Sequence, residues 1–393
     1  MIAASALFAL AAASAPANLC TLCHPDVRVE FERSIHATEQ VTCVSCHGGD
    51  QSASTVEAAH RGKFRGRIRR RDQPALCATC HSDAEQMSPY NLPTGQYALY
   101  QTSQHGRALA KGDENAAVCT DCHGVHEILR SDDARSSVYA ANIPETCGRC
   151  HSDSALMSRY GLSGDPHADF IEGSHGRALL ERMDASAPGC ARCHGAHGAT
   201  PPGVGDINKV CGQCHTRTRA YFVESPHKRA MDEAGLPECA SCHGNHRIVK
   251  ADVAALGTVC LECHDPGSAQ AELAVQMQTL YLVASEDLES ARRLVEEAAA
   301  IPLYIEDYLA RLEEGSSSLV ESQPAMHSVD LATVERLTGR ARSIGHEVES
   351  ELRGKLEGRK WRRVGLVVFW FYLLVTLGAL IRFRSRAARE IET

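Results

Sequence analysis

Residues 119–126 read Cys119-Thr120-Asp121-Cys122-His123-Gly124-Val125-His126. The first five form Cys-x-x-Cys-His, a pattern that occurs nine times between Cys20 and His264. The cysteine pairs are Cys20/Cys23, Cys43/Cys46, Cys77/Cys80, Cys119/Cys122, Cys147/Cys150, Cys190/Cys193, Cys211/Cys214, Cys239/Cys242 and Cys260/Cys263. They use all 18 cysteines of the chain. The histidines that follow are His24, His47, His81, His123, His151, His194, His215, His243 and His264. Cys-x-x-Cys-His is the attachment signature of heme c. The two thiols add to the heme vinyl groups, and the adjacent histidine becomes the proximal axial ligand of the iron. The pattern predicts nine covalently attached heme c groups. A disulfide framework would explain an even cysteine count but not the histidine after every pair. Zinc sites use Cys-x-x-Cys pairs but do not require that histidine either. A thioredoxin-like motif would occur once.

Outward from the motifs, the composition agrees. Aromatic residues make up only 5% of the 393, little for a chain that must build several ordinary cores. Nine porphyrins would supply the missing flat apolar mass. The formal net charge of −8 gives no sign of nucleic-acid binding.

The motifs fall into a repeat. Each unit opens with one motif, continues with an aromatic residue five positions before a lone histidine, and closes with a second motif. The aromatic–histidine pairs are Phe31/His36, Tyr100/His105, Phe170/His175 and Phe222/His227. Three of these histidines precede Gly106-Arg107-Ala108, Gly176-Arg177-Ala178 and Lys228-Arg229-Ala230. The fixed place of Arg107, Arg177 and Arg229 suits pairing with heme propionates. In three units the second motif extends to Cys-His-Gly-x-His, ending at His126, His197 and His246. The doublets are Cys20 with Cys43, Cys77 with Cys119, Cys147 with Cys190, and Cys211 with Cys239; the Cys260 motif stands alone. Short helices and loops are expected, with few or no strands.

Nine histidines outside the motifs lie before residue 268: His36, His60, His105, His126, His167, His175, His197, His227 and His246. Nine spare imidazoles for nine irons is the count for bis-histidine ligation. A fully ligated iron carries electrons and has no open position for bond chemistry. His126 follows His123 too closely to reach the far face of the same porphyrin, so it is expected to ligate another heme; His197 and His246 likewise. His60 and His167 stand outside the repeat and could instead bond a propionate or a carbonyl. The distal ligands of the hemes at Cys43 and Cys260 stay open. Met87 and Met157 occupy matching places six residues after a motif histidine, and packing is the favoured reading.

Toward the termini the chain changes character. Residues 1–17 read as a signal peptide: an alanine- and leucine-rich run too short to span a bilayer, then Ala15-Pro16-Ala17. From about residue 268, apolar residues recur in steps of three and four from Leu273 to Ala298, and again from Val334 to Leu352. Pro302 should interrupt the first helix. Gly315, three serines and Pro324 suggest a turn over 315–328. The expectation is a long helical hairpin over 268–363, which would bring residue 268, and the heme domain with it, close to a membrane surface. Val364 to Ile381 is apolar on all faces and about 27 Å long as a helix, enough to cross a bilayer. Arg359, Lys360, Arg362 and Arg363 flank one end, and Arg382, Arg384, Arg386 and Arg389 the other, so charge does not choose an orientation. Heme c is attached outside the cytoplasm, which makes 382–393 the cytoplasmic tail and puts the heme domain on the periplasmic side of a bacterial cytoplasmic membrane.

The expected fold class is mainly α with much irregular loop. It comprises a nine-heme cytochrome c domain over 18–267 (four doublets plus one), the hairpin, and one C-terminal transmembrane helix over 364–381. With Cys119–His126 and its parallels in view, residues 20–264 resemble bacterial multiheme cytochromes c with doubled Cys-x-x-Cys-His motifs, the cytochrome c3-like and c554-like group. The resemblance implies electron transport in anaerobic or flexible respiration. Its typical partners are a membrane quinol-oxidising complex or b-type cytochrome on one side, and periplasmic cytochromes or terminal reductases on the other. No catalytic residue is assigned, and an electron carrier without substrate chemistry is favoured over an enzyme. The alternative is a multiheme oxidoreductase of the nitrite, hydroxylamine or tetrathionate type with one open heme site. The apolar helix faces also allow an oligomer.

Overall fold

The computed structural model describes residues 18–200, 205–249 and 252–391. The signal peptide expected over 1–17 lies outside the described residues. Helices and loops account for all of these, with no strand among them. The chain divides into two compact units: one of residues 1–211 and 239–250, the other of residues 212–238 and 251–393.

The first unit is a string of short helices. Most motifs sit on one, such as Cys43–His47, Cys119–His123 and Cys190–His194. One helical turn puts the two cysteines three apart and the histidine four from the first cysteine, all on the same face. In these three the helix then stops at a glycine. Gly124 has φ +84°, and a side chain there would meet the Glu127 carbonyl at 2.8 Å. Left-handed backbone is open to glycine at no steric cost, so the chain reverses and carries His126 away from the motif helix.

The aromatic–histidine segments are pairs of helices with a sharp break between them. Gln96–Thr102 carries Tyr100, and Gln104–Ala110 carries His105. Ser103 makes the break: its hydroxyl donates to the Tyr100 carbonyl at 2.6 Å and accepts from the Gly106 N–H at 3.0 Å. This N-cap restarts the helix in a new direction. A Cβ on Gly106 would collide with the Tyr100 carbonyl, and one on Gly176 with the Phe170 carbonyl. Only small apolar clusters lie between these helices, for example Leu109, Ala116 and Val118. Met87 and Met157 are buried in the packing. Large apolar side chains such as Leu22, Leu99 and Val125 remain exposed.

In the second unit three long helices form a bundle: α1 (Ala269–Ala299), α2 (Glu306–Ala325) and α3 (Leu331–Ile391). The first ends before Pro302, as expected. The turn expected over 315–328 is confined to its last residues; α2 runs through 315–325. Gly315 lies where the helices cross, with a Cβ position 2.7 Å from the Leu288 side chain. The serine hydroxyls are satisfied within the helix, Ser316 donating to the Leu312 carbonyl and Ser317 to the Glu313 carbonyl. Pro324 falls in the last turn, and the reversal comes at Met326–Ser328 and Val329, the latter with φ +55°. Short connections make successive helices antiparallel, so α3 runs alongside α1 in the same direction. Ala284, Leu288, Ala291, Val295, Tyr308, Leu312, Ala341, Val348 and Leu352 form the core. Arg342 reaches Asp287 at 2.9 Å, and Arg311 bridges Glu347 and Glu351 at 3.1 and 3.0 Å. The hairpin thus becomes an up-down-up bundle. Beyond it α3 continues as a helix long and apolar enough to cross a membrane. Its large side chains, Phe369, Trp370 and Phe371 among them, face outward.

Candidate heme centres

The imidazoles meet in pairs, and each of seven pairs joins one motif histidine to one histidine outside the motifs. In the first unit these are His24–His60, His81–His36, His47–His126, His151–His105, His123–His197 and His194–His246, with ring centres 6.5, 6.1, 6.4, 6.1, 6.1 and 5.8 Å apart. In the second unit His264 faces His227 at 6.1 Å. The spacing is chemically informative. Two iron–imidazole bonds of about 2 Å, plus about 1.1 Å from each nitrogen to its ring centre, set ring centres about 6.2 Å apart. No group of three or more His, Cys, Asp or Glu among the described residues is placed to hold a bare metal ion. Two imidazoles facing each other suit an iron whose other four ligands come from a porphyrin. The His123 and His197 rings lie within 1° of parallel.

The pairing follows a direction. The helix histidines look forward along the repeat: His36 faces the first motif of the second doublet, and His105 that of the third. The loop histidines look back: His126, His197 and His246 each face the second motif of the preceding doublet. In three doublets the leading thiols are close enough to act on one another: Cys77 with Cys119, Cys147 with Cys190, and Cys20 with Cys43. Between doublets Cys46 lies near Cys80, and Cys122 near Cys147. None of the 18 cysteines is joined in a disulfide.

The sequence reading treats the two thiols of a motif alike, and the structure separates them. The leading cysteine of every motif is half-buried. Most trailing ones are not: Cys23, Cys80, Cys150, Cys214, Cys242 and Cys263 are exposed, while Cys46, Cys122 and Cys193 are half-buried. Cys77, a leading thiol, interacts with the leading thiol Cys119 of the next motif. Its mate Cys80 lies one helical turn on and is exposed. Thioether formation needs each thiol to reach a vinyl carbon on the porphyrin edge, so an open trailing thiol is compatible with attachment. Cys193 is intermediate, beside Cys190 on the helix Cys190–His194.

The electrostatics favour neutral imidazoles, the form that binds a metal. Burial pushes His36 below its usual range, and facing His81 pushes it further. Burial does the same to His81 and His197. His123 is lowered by burial first, then by His197 and His81. The Cys122 thiol is pushed up to about 11, mainly by burial and then by Cys147. A cavity of about 280 Å³ opens beside His123, with Arg135 and Arg149 on its wall. Such donors match carboxylates like heme propionates. Arg107, Arg177 and Arg229 are exposed.

Of the histidines singled out from sequence, His60 joins a pair and His167 does not. His167 packs on Gly148, between Cys147 and Cys150, with its ring 2.6 Å from where a Cβ would sit. Its Nε2 is buried without a hydrogen bond, 3.9 Å from Glu145. The seven pairs involve neither His175, His215 nor His243. The partners of His47 and His264, open from sequence, are His126 and His227. The Cys-His-Gly-x-His register, which aligns each loop with the doublet before it, was the available signal for the first.

In the second unit, local structure sets His227. Helices Thr216–Glu224 and Pro226–Ala234 are clasped by Glu238, which is only 4% exposed and pairs with Arg219 and, at 3.3 Å, with Lys228. Arg217 and Tyr221 seat the first of these helices on Glu321 of α2, at 2.6 and 2.8 Å.

Facing imidazoles beside pairs of thiols, on a fold of short helices with little apolar core, define a chain that fits heme c at its motifs. The comparisons agree: the cytochrome c3 family profile matches residues 35–152, and that of the doubled CXXCH motif matches residues 184–220. The chain is a multiheme c-type cytochrome with paired CXXCH motifs. No curated protein and no solved structure matches it significantly.

Proposed function

We propose that this chain is a membrane-anchored nonaheme c-type cytochrome. It carries electrons between the membrane quinone pool, or a membrane complex, and periplasmic redox partners. The observation that carries the reading is the set of seven cross-matched imidazole pairs. Each would close both axial positions of an iron, leaving it able to change oxidation state but not to bind a substrate. The two motif histidines whose distal partners the sequence leaves unassigned, His47 and His264, each face an imidazole, which weighs against the oxidoreductase alternative. Bound heme supplies the one-electron chemistry. The chain's own residues hold each imidazole neutral and oriented, and bring neighbouring motifs close. The thiol contacts support hemes one to six following one another in sequence order, close enough for stepwise transfer. The outward apolar face of α3 supports the anchor, and extracytoplasmic heme attachment supports a periplasmic heme domain.

The test is an intact mass giving nine heme additions, with electron paramagnetic resonance showing only low-spin ferric iron and no change on adding cyanide or nitrite. A high-spin signal that nitrite or hydroxylamine turns over would replace this reading with the enzymatic one.

A further inference from the structure

The last motif and the apolar span occupy opposite ends of the bundle in the second unit. Segment 253–264 rests near the start of α1: Gln278 donates to the Val253 carbonyl at 3.1 Å, and Gly257 lies against Val275. Met277, Met326 and Val334 close the same end, with Val253 and Leu256 packed on them. His227 faces His264 here, its helix pair seated on Glu321 near the end of α2. From Val334, α3 runs unbroken to Val364, where the apolar stretch begins, a rise of about 45 Å. Along most of that length α1 and α2 hold it. Asp287 takes Arg342, Arg311 takes Glu351, and Lys355 reaches the Tyr308 hydroxyl. This is a packed three-helix column, stiffer than a lone helix or a flexible linker of the same length. It also reverses the hairpin expectation, which set residue 268 beside the membrane; with a third helix in the bundle, residue 268 lies at the far end.

We propose that the bundle is a spacer. The Cys260 heme exchanges electrons with a redox protein whose cofactor sits on a water-exposed domain, not with a donor confined to the bilayer. The proposal rests on the membrane-anchored cytochrome reading above. One electron leaves the partner's cofactor as the Cys260 iron passes from ferric to ferrous, or the reverse, and no proton or bond is exchanged.

The experiment uses the full-length holoprotein in lipid vesicles. One set of vesicles carries a long-tailed quinol confined to the bilayer; a second receives a water-soluble hydroquinone sulfonate. The readout is the α band of reduced heme c in the wild type and in His227→Ala, with His227→Met as the variant that keeps a ligand. Electron paramagnetic resonance independently checks that His227→Ala converts one heme from low to high spin. The expected result is full reduction by the soluble donor, and reduction by the bilayer quinol no faster than in quinol-free vesicles. Bilayer reduction that survives both His227 variants also supports the proposal, because entry is then at another heme. Bilayer reduction lost in His227→Ala and altered in His227→Met overturns it. Absence of any heme c spectrum would instead remove the cytochrome reading on which the proposal stands.

Discussion

At the scale of single residues, the chain separates attachment from ligation. His123 and His126 lie three apart, yet the first faces His197 and the second faces His47. His126→Ala should therefore convert the heme at Cys43, not the one at Cys119, from low to high spin. In a protein already lacking Cys43 and Cys46, the same substitution should add nothing, a double-mutant cycle readable by electron paramagnetic resonance. Acid sensitivity follows from the half-buried pairs. His36, His81 and His123 have imidazoles pushed below their usual range, so the neutral form is favoured in the folded chain. The stabilisation is fully present above the ordinary histidine value of about 6.5 and is lost as pH falls through the depressed one. Titration of the ferric protein should show low-spin absorbance persisting below that ordinary value before the high-spin form appears. Sequence showed which imidazoles were available. It did not show that His167 would pack on Gly148 instead of opposite a motif histidine, because that depends on how the helix Pro166–Glu172 lies on the Cys147 motif. Nor did it separate the half-buried leading thiols from the trailing ones, most of which are exposed, because exposure is set by tertiary packing.

At the scale of elements, the broken helix pair is the part that aims a ligand. Gly106 allows Gln104–Ala110 to start directly against the Tyr100 carbonyl. Gly106→Ala should push the two helices apart, cost about 1–3 kcal/mol by overpacking, and disturb the heme of the His105–His151 pair. Gly95→Ala has nothing within 4 Å to meet and serves as the control, expected within about 1 kcal/mol of neutral. Chemical denaturation together with the spectrum of the ferric protein reads both effects. In the bundle, Leu312 is 1% exposed among core side chains, and Leu312→Ala should cost about 2–5 kcal/mol in the same assay. The periodic runs that became α1 and α3 were legible as helices. The helix between them was not, since Gly315 and its serines have turn-like composition. What keeps them helical is a partner: Leu288 and Ile344 pack where Gly315 leaves room.

At the scale of the whole molecule, one continuous helix joins bundle and apolar span. A variant ending at Arg359 keeps the packed part of α3 and loses the span. It should leave the membrane fraction while retaining the reduced heme c spectrum, measured after ultracentrifugation. If it stays with the membrane, another part of the chain anchors it. The third helix also changes what the anchor means. A hairpin would set the last motif and the apolar stretch at the same end; the three-helix column separates them by about 45 Å along α3.

Sequence alone marked the motifs that fit heme c, because Cys-x-x-Cys-His is local chemistry: two thiols and an imidazole one helical turn apart need no tertiary partner to be recognised. It likewise determined the apolar span, since length and hydropathy suffice. Tertiary structure decided which imidazole stands opposite which. His126 meets His47, and His227 meets His264, only because helices far apart in the chain pack together, and that packing rests on contacts such as Glu238 with Lys228 and Glu321 with Tyr221. It also decided that residues 306–325 form a helix, because burial against α1 and α3 outweighs the weak helix propensity of glycine and serine.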